Sequence, residues 1–304
     1  MYIETMPILH VILLAIVQGL AELLPVSSSA HVIVAEKILQ RHYGGLDPTD
    51  PRMTLLLVML HTGTMFAVIA YFWKQWKRTY FASADAFKRF AIRAIWASFL
   101  TAVIGYPLMK IIEKIAFKGA SKAEIELLFG RLDLIAPALV AAGVLILIAG
   151  LRERNQKAEP TNLYGNSVTM GQAGWMGAIQ GLCLPFRGFS RSGATISTGM
   201  LAGAVKDRAE RFSFALAVII TPAAIAKEAM RLVKASHEAA AIGSPIDLHS
   251  SATMGLLGAV LAFVAGLVAL KWLSAWLEEG RWYLFGIYCL LASGVVFYLH
   301  HLGY

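Results

Sequence analysis

The chain alternates long apolar runs with short polar breaks. The runs at 53–73, 91–109, 132–151, 212–230, 252–273 and 282–300 each approach the ~20 residues that a membrane-spanning helix needs. Two further stretches are apolar yet too interrupted to span. The first, "AIVQGLAELLPVSSSAHVIV" (15–34), is broken in its middle by Pro25 and three serines; the second, "GAIQGLCLPFRGFSRSGATIS" (177–197), is broken by proline, glycine and serines. Both contain "QGL", then apolar residues, a proline and a serine cluster, with Gln18 and Gln180 in matching places 162 positions apart. That is an internal repeat. Broken helices at corresponding places in two halves point to a site at the membrane midplane. Irregular backbone is tolerated there only where protein or a water-filled cavity satisfies its polar groups. Segments 7–40 and 170–205 are therefore expected to be helix–loop–helix hairpins that enter the membrane and return to the same side.

Topology follows by alternation. If the first hairpin enters from side X, three spans carry the chain to side Y, where the second hairpin enters, and three more return it to X. The halves, 1–151 and 170–304, are then inverted copies within a single membrane domain, 1–304. Side Y receives fourteen Lys and Arg and side X eleven, with six of the fourteen between Lys74 and Arg93. The short six-charge loop makes Y the cytoplasm.

Composition agrees with a polytopic helical membrane protein: the 304 residues are 58% apolar and 15% charged, against about 25% charged in soluble domains. The first apolar run has no basic n-region and holds Gln18 and Glu22, so it is expected to belong to the mature fold rather than to a signal peptide. The net charge of +8 fits loop cations facing anionic lipid, and no nucleic-acid motif accompanies it. Cys183 and Cys289 lie in apolar runs without CxxC spacing, which argues for small core residues over a disulfide or zinc site. Segment 110–118, "KIIEKIAFK", fits an interfacial helix or a solvated connector equally well.

The chemistry concentrates in the hairpins. An arginine at bilayer mid-depth costs roughly 2.5–3.5 kcal/mol on insertion scales, so Arg191 needs a partner. One reading is a structural ion pair with Glu22. The other is an anion site: Ser190, Ser192 and Thr195 offer hydroxyls, and Gly188 and Gly193 let backbone N–H groups approach a ligand. Thr195 is expected to open the following helix, whose N-terminus favours negative charge. The planar guanidinium fits phosphate oxygens, so a phosphate or diphosphate is the natural occupant. In the first hairpin, Gln18 and Glu22 share a helix face, followed by Ser27, Ser28, Ser29 and His31. Hydroxyl, imidazole and carboxylate are the ingredients of nucleophilic or general-base catalysis; the structural alternative is serines satisfying a helix break. Glu22 could take a proton or, with Gln18, hold a divalent cation bridging phosphate oxygens. His61 and Thr62, in "MLHTGTM", could line the site or make core hydrogen bonds. Arg187 lies close to the second loop, within reach of a second phosphate or a lipid headgroup. A helix-end ion pair is expected for Glu228.

The hairpins resemble the bacterial undecaprenyl-diphosphate phosphatase family, also named for bacitracin resistance. The likeness rests on "QGLAELLPVSSSAH" and "GFSRSGAT", supported by "ERFSFALAV". Gln18 and Glu22 fill the family's first motif, Ser28 and His31 match its serine and histidine, and Gly188, Ser190, Arg191, Ser192 and Thr195 match its second. Arg187 stands where the family usually has proline, Ala30 replaces a common glycine, and Gln18 in place of Glu leaves one carboxylate. The resemblance implies hydrolysis of undecaprenyl diphosphate to the monophosphate, recycling the carrier lipid for peptidoglycan synthesis. It also implies Mg²⁺ or Ca²⁺ dependence, an inverted-repeat all-α fold in the bacterial inner membrane, and a site open to the periplasm. Ser28 is then the preferred nucleophile, activated by His31 or Glu22, and Arg191 clamps the diphosphate; direct attack by water is the variant mechanism. The partners expected are the lipid substrate and the membrane, with a homodimer compatible and no nucleic acid. A transporter or flippase for an anionic polyprenyl lipid is the alternative class, since inverted repeats are transporter architecture.

Overall fold

The computed structural model describes residues 8–44, 51–117, 128–155, 167–241, 248–277 and 280–304. They form ten α-helices: α1 (Ile8–Leu23), α2 (Ser28–Tyr43), α3 (Pro51–Thr79), α4 (Ala84–Phe117), α5 (Leu132–Asn155), α6 (Met170–Cys183), α7 (Arg191–Leu201), α8 (Lys206–Ala241), α9 (Leu248–Leu277) and α10 (Tyr283–His301). Among the described residues, α3, α4, α5, α9 and α10 are long and apolar enough to cross a membrane. Their outward surface is apolar too: Ile95, Val268 and Leu291 are each at least 60% exposed. A helix that is apolar on its exposed face as well as its packed one is solvated by lipid. This is a multi-pass membrane protein. The sixth expected span, 212–230, lies within α8; the side chains of Lys227, Glu228 and Arg231, and so the ion pair expected for Glu228, lie outside the described residues.

The two interrupted stretches form short helix pairs. α1 and α2 have 16 residues each, α6 has 14 and α7 has 11, lengths of about 16–24 Å at 1.5 Å per residue. None matches a hydrocarbon core of about 30 Å. Each pair packs on itself, α1 on α2 and α6 on α7. Each first helix also packs on a long helix of the other half, α1 on α9 and α6 on α4. The "QGL" glycines make these approaches. A Cβ on Gly19 would sit 2.5 Å from Ala265 Cβ and 2.8 Å from the Ala262 carbonyl, and one on Gly181 would sit 2.9 Å from the Thr101 carbonyl. Gln18 and Gln180 are thereby seated at corresponding helix crossings. α5 packs on α10 and α3 on α8.

One expectation is corrected. Residues 110–117 are not a separate interfacial or connector helix: α4 runs unbroken from Ala84 through Pro107 to Phe117, with Lys110 bonded to Glu113 at 2.7 Å on its last turns. The Ile and Phe positions that suggest an amphipathic segment continue the α4 pattern. Lys118 lies outside the described residues. The cysteines are both free, and Cys289 is buried with its thiol 3.6 Å from the Pro25 carbonyl.

Candidate active site

The turns of the two short pairs meet. Ser192 Oγ donates to the Leu24 carbonyl at 3.3 Å. A Cβ on Gly193 would lie 3.0 Å from the Pro25 carbonyl, so glycine there lets the two turns touch. This contact brings Arg191, the first residue of α7, to Glu22 near the end of α1: Nη2 donates to Glu22 Oε1 at 3.0 Å. The other carboxylate oxygen collects the first pair's polar groups. Ser28 Oγ donates to Glu22 Oε2 at 2.5 Å, and Gln18 Nε2 donates to the same oxygen at 3.1 Å. His61 of α3 points Nε2 at it from 3.8 Å, while its Nδ1 is committed to the Leu57 carbonyl at 2.8 Å. One carboxylate thus gathers residues from α1, α2, α3 and α7.

The local backbone explains why Ser28 faces inward. Ser27 caps α2 with φ 67°, in the left-handed region that favours glycine. Such a conformation is costly and persists where the surroundings enforce it. Here the turn starts α2 at Ser28, so that hydroxyl is aimed back at α1. The Ser27 carbonyl accepts His31 Nδ1 at 2.8 Å. A carbonyl can only accept, so Nδ1 carries the proton and the neutral ring's Nε2 is an acceptor. That nitrogen receives the Tyr288 O–H at 2.6 Å, with the two rings stacked at 5.6 Å and 12°.

Two side chains of this cluster keep a buried polar atom with no hydrogen-bond partner among the described residues: Arg191 at Nη1 and Gln18 at Oε1. A buried polar atom left unpaired costs free energy, and both lie on side chains that already reach Glu22. The guanidinium therefore still has a donor to offer. A cavity beside it is lined by Glu22, Leu23, His61, Thr64, Met65, Val68, Arg191, Ala217, Val218 and Thr221.

Residues 11–295 match the family described as Bacitracin resistance protein BacA. The chain belongs to that family. It is 53% identical over 293 residues, 96% of this chain and 98% of the relative, to Undecaprenyl-diphosphatase 2 of Acinetobacter baylyi. It is 31% identical over 297 residues, 95% of both chains, to Undecaprenyl-diphosphatase 1 of Burkholderia pseudomallei. It is also 31% identical over 293 residues, 95% of both chains, to Undecaprenyl-diphosphatase 2 of Burkholderia thailandensis.

Within this BacA-family site, the expected residues divide. Gln18, Glu22, Ser28 and Arg191 converge on one point. His31 is not drawn to Ser28 but to Tyr288, so the group within reach of the Ser28 hydroxyl is Glu22. The hydroxyls expected on an anion are engaged with protein. Ser190 caps α7 by accepting the Gly193 N–H at 3.2 Å, and Ser192 holds the other turn. Thr195 does not open α7. The helix starts four residues earlier, at Arg191, because Ser190 supplies the cap; Thr195 is fully buried, donates to the Arg191 carbonyl at 2.8 Å and lies 2.5 Å from Ser213 Oγ of α8. Gly188 has φ 102°, and a Cβ there would meet the Ile135 carbonyl at 2.6 Å, so its glycine serves packing on α5. Ser27 Oγ lies 3.3 Å from Ser29 Oγ. Arg187 stacks over Phe129 at 4.2 Å. Of His61 and Thr62, only His61 faces the carboxylate; Thr62 donates to the Val58 carbonyl at 2.8 Å within its own helix. Tyr288 is the addition that the structure makes. It lies 257 positions from His31 inside an apolar run, and no local pattern marks it.

Proposed function

We propose that the chain hydrolyses undecaprenyl diphosphate to undecaprenyl phosphate and inorganic phosphate, at the meeting point of the two short helix pairs. The observation that carries this reading is the single carboxylate shared between Arg191 and Ser28, with Arg191 Nη1 left over as a buried donor. Arg191 binds the terminal phosphoryl group and stabilises charge on it as it is transferred. Ser28 Oγ attacks phosphorus; the bridging P–O bond breaks, and undecaprenyl phosphate leaves. The serine proton passes to Glu22 Oε2, its hydrogen-bond acceptor. Water then hydrolyses the phosphoserine, releasing phosphate and restoring Ser28. In the variant route Glu22 or His31 activates water directly. Ser190, Ser192 and Thr195 fix the start of α7 that presents Arg191, and Gly188 and Gly193 let it pack.

A divalent cation suits this donor set as one shared with the substrate. Gln18 Oε1 is a buried oxygen without a partner among the described residues, on the amide whose nitrogen reaches Glu22. Those two residues would hold Mg²⁺ or Ca²⁺, with substrate oxygens and water completing its shell. Bound there, the cation would neutralise phosphate charge. Gln18 meanwhile orients Glu22 toward Ser28.

The inverted-repeat topology is part of the same reading. It is supported by the matched packing of α1 on α9 and α6 on α4, and by the pairing of corresponding helices, α3 with α8 and α5 with α10. Both short pairs are then re-entrant. The charge asymmetry of the loops directs the first pair, and with it the site, to the periplasmic side of the inner membrane. A homodimer is compatible with this arrangement. A carrier or flippase would require Arg191 but has no use for the Ser28–Glu22 hydrogen bond, which favours hydrolysis. The test is phosphate release from undecaprenyl diphosphate by purified protein, with Mg²⁺, with Ca²⁺ and with chelator. Metal-dependent release, absent with undecaprenyl phosphate as substrate, is expected. No release from folded protein under any of these conditions would refute the proposal.

A further inference from the structure

We propose that the end of the bundle formed by the α3–α4 turn and the start of α8 binds the phosphate of an anionic phospholipid, through Arg93 and Arg211. This place is remote from the Glu22 carboxylate: His61 and Thr79 lie 18 residues apart on α3, about 27 Å at 1.5 Å per residue. The proposal does not depend on the phosphatase reading. Ring packing brings the two arginines together. Tyr80, just after α3, stacks on Phe90 of α4 at 4.2 Å, and Phe90 meets Phe212 of α8 edge-on at 6.3 Å. Arg93 stands one turn beyond Phe90 on the same face of α4, and Arg211 directly precedes Phe212. Arg211 Nη1 donates to Thr79 Oγ1 at 3.4 Å, and its Nε to the Asp207 carbonyl at 3.1 Å. Burial pushes the Tyr80 phenol up while Arg211 and Arg93 both pull it down, so each guanidinium lies within electrostatic reach of that one oxygen.

The cluster holds more cation than anion. Arg93 Nε is buried with no hydrogen-bond partner, and no carboxylate pairs with Arg93, among the described residues. Arg89, one turn earlier on α4, adds a like charge. The acids near Arg211 are Asp207 and Glu210 of α8, with Lys206 beside them; burial and Asp207 push Glu210 up to about 7, so near neutral pH it is only partly ionised. An unmatched buried donor costs free energy, and phosphate oxygens fit the guanidinium plane. Aromatic side chains decide what carries that phosphate. From the Tyr80–Phe90 pair a strip of rings runs outward: Phe81 lies 6.4 Å from Phe90, 5.7 Å from Phe87 and 6.0 Å from Trp73. Phe81, Phe87 and Trp73 are exposed, and so are Lys77, Arg78 and Lys88. Exposed rings interleaved with basic residues mark the membrane–water interface. The arginines therefore sit at headgroup level, with apolar surface beside them for the glycerol and upper acyl carbons; a free phosphate ion would use the arginines alone. The loop charges direct this end to the cytoplasmic leaflet, where basic pockets between helices hold anionic headgroups.

The test is native mass spectrometry of the full chain with phosphatidylglycerol or phosphatidylcholine. Wild type and Arg191→Ala should each retain a single phosphatidylglycerol at concentrations that leave phosphatidylcholine unbound. Arg93→Gln should weaken that binding about tenfold. A second measurement needs no variant: phosphatidylglycerol with a diazirine in its headgroup should label residues 77–93 or 206–212 of wild type. Unlabelled phosphatidylglycerol should displace that label, and inorganic phosphate at the same concentration should not. Equal retention of the two lipids, unchanged binding by folded Arg93→Gln, or displaceable label elsewhere overturns the proposal. Displacement by inorganic phosphate assigns the site to the free ion and overturns the lipid as its ligand.

Discussion

Replacing Glu22 with Gln keeps the shape of the side chain and removes its charge, and the geometry around it fixes the consequence. Glu22 Oε1 accepts from Arg191 at 3.0 Å; Oε2 accepts from Ser28 at 2.5 Å and from Gln18 at 3.1 Å. All three partners are donors. A glutamine amide has one acceptor oxygen, so it can accept from Arg191 or from Ser28 but not from both. If the oxygen stays with Arg191, Ser28 loses its proton acceptor; if it turns to Ser28, the guanidinium faces an amide. Removing a general base costs about 10²–10⁴ in rate, or about 3–5 kcal/mol at 1.36 kcal/mol per decade. Arg191 also loses its counter-ion. With its side chain 28% exposed, that loss should cost less than the ~3–5 kcal/mol of a broken fully buried pair. The expected result for Glu22→Gln is a fall in kcat of about a hundredfold or more and a melting temperature lowered by a few degrees. Phosphate release under saturating substrate and thermal unfolding in the same detergent measure the two. Activity within threefold of wild type would refute the assignment of Glu22 as the group that takes the serine proton.

Three further substitutions probe separate parts of the molecule. Tyr288→Phe keeps the ring stack on His31 but removes the donor to Nε2; a loss of about 1–2 kcal/mol of transition-state stabilisation, roughly tenfold in rate, should accompany a changed His31 ¹⁵N tautomer signature, and unchanged activity would show that His31 takes no part. Burial, reinforced by Asp207 against Lys206 and Arg211, pushes Glu210 up to about 7. The folded state therefore favours the neutral acid: the penalty is absent below the unfolded pKa near 4.5, grows as pH rises, and is complete above about 7. Glu210→Gln should melt like wild type near pH 4.5 and higher than wild type at pH 8, by up to about 3 kcal/mol; equal melting at both pH values would contradict this. Gly19→Ala places a Cβ 2.5 Å from Ala265 Cβ, so α1 must move off α9 at a cost of about 1–3 kcal/mol; unfolding temperature and phosphate release should fall together, and no change in either would argue that the crossing is loose.

Much of this architecture is legible along the chain because lipid imposes a coarse rule: spans must be long and apolar, and interruptions must have a reason. Pro25, Pro185 and the serine clusters locate both helix breaks, and the cost of burying Arg191 points to a partner. From sequence, the Glu22 ion pair and the anion site are rivals; the geometry makes them compatible, since one guanidinium nitrogen holds Glu22 and another has no partner among the described residues. Side-chain direction is what the chain conceals. Spacing puts Ser28 and His31 on one face of α2, yet the strained turn at Ser27 sends the serine to α1 and the imidazole to Tyr288. Whether a loop hydroxyl meets a ligand or caps a backbone depends on where the helix starts. Ser190 sets that start at Arg191 and leaves Thr195 bonded to Ser213. The end of α4 is obscured for a related reason: a lysine every few residues resembles an interfacial segment, but nothing terminates the helix before Phe117.

The central claim is that one site, built by Arg191, Glu22 and Ser28, performs the hydrolysis. Initial rates of phosphate release from undecaprenyl diphosphate by wild type, Arg191→Ala and Ser28→Ala, measured side by side on protein of equal thermal stability, test it most directly. Release by wild type is expected, with losses of at least a hundredfold in both variants. Arg191→Ala that retains wild-type rates would contradict the claim; Ser28→Ala alone retaining them would move the attack from serine to water while leaving the site in place.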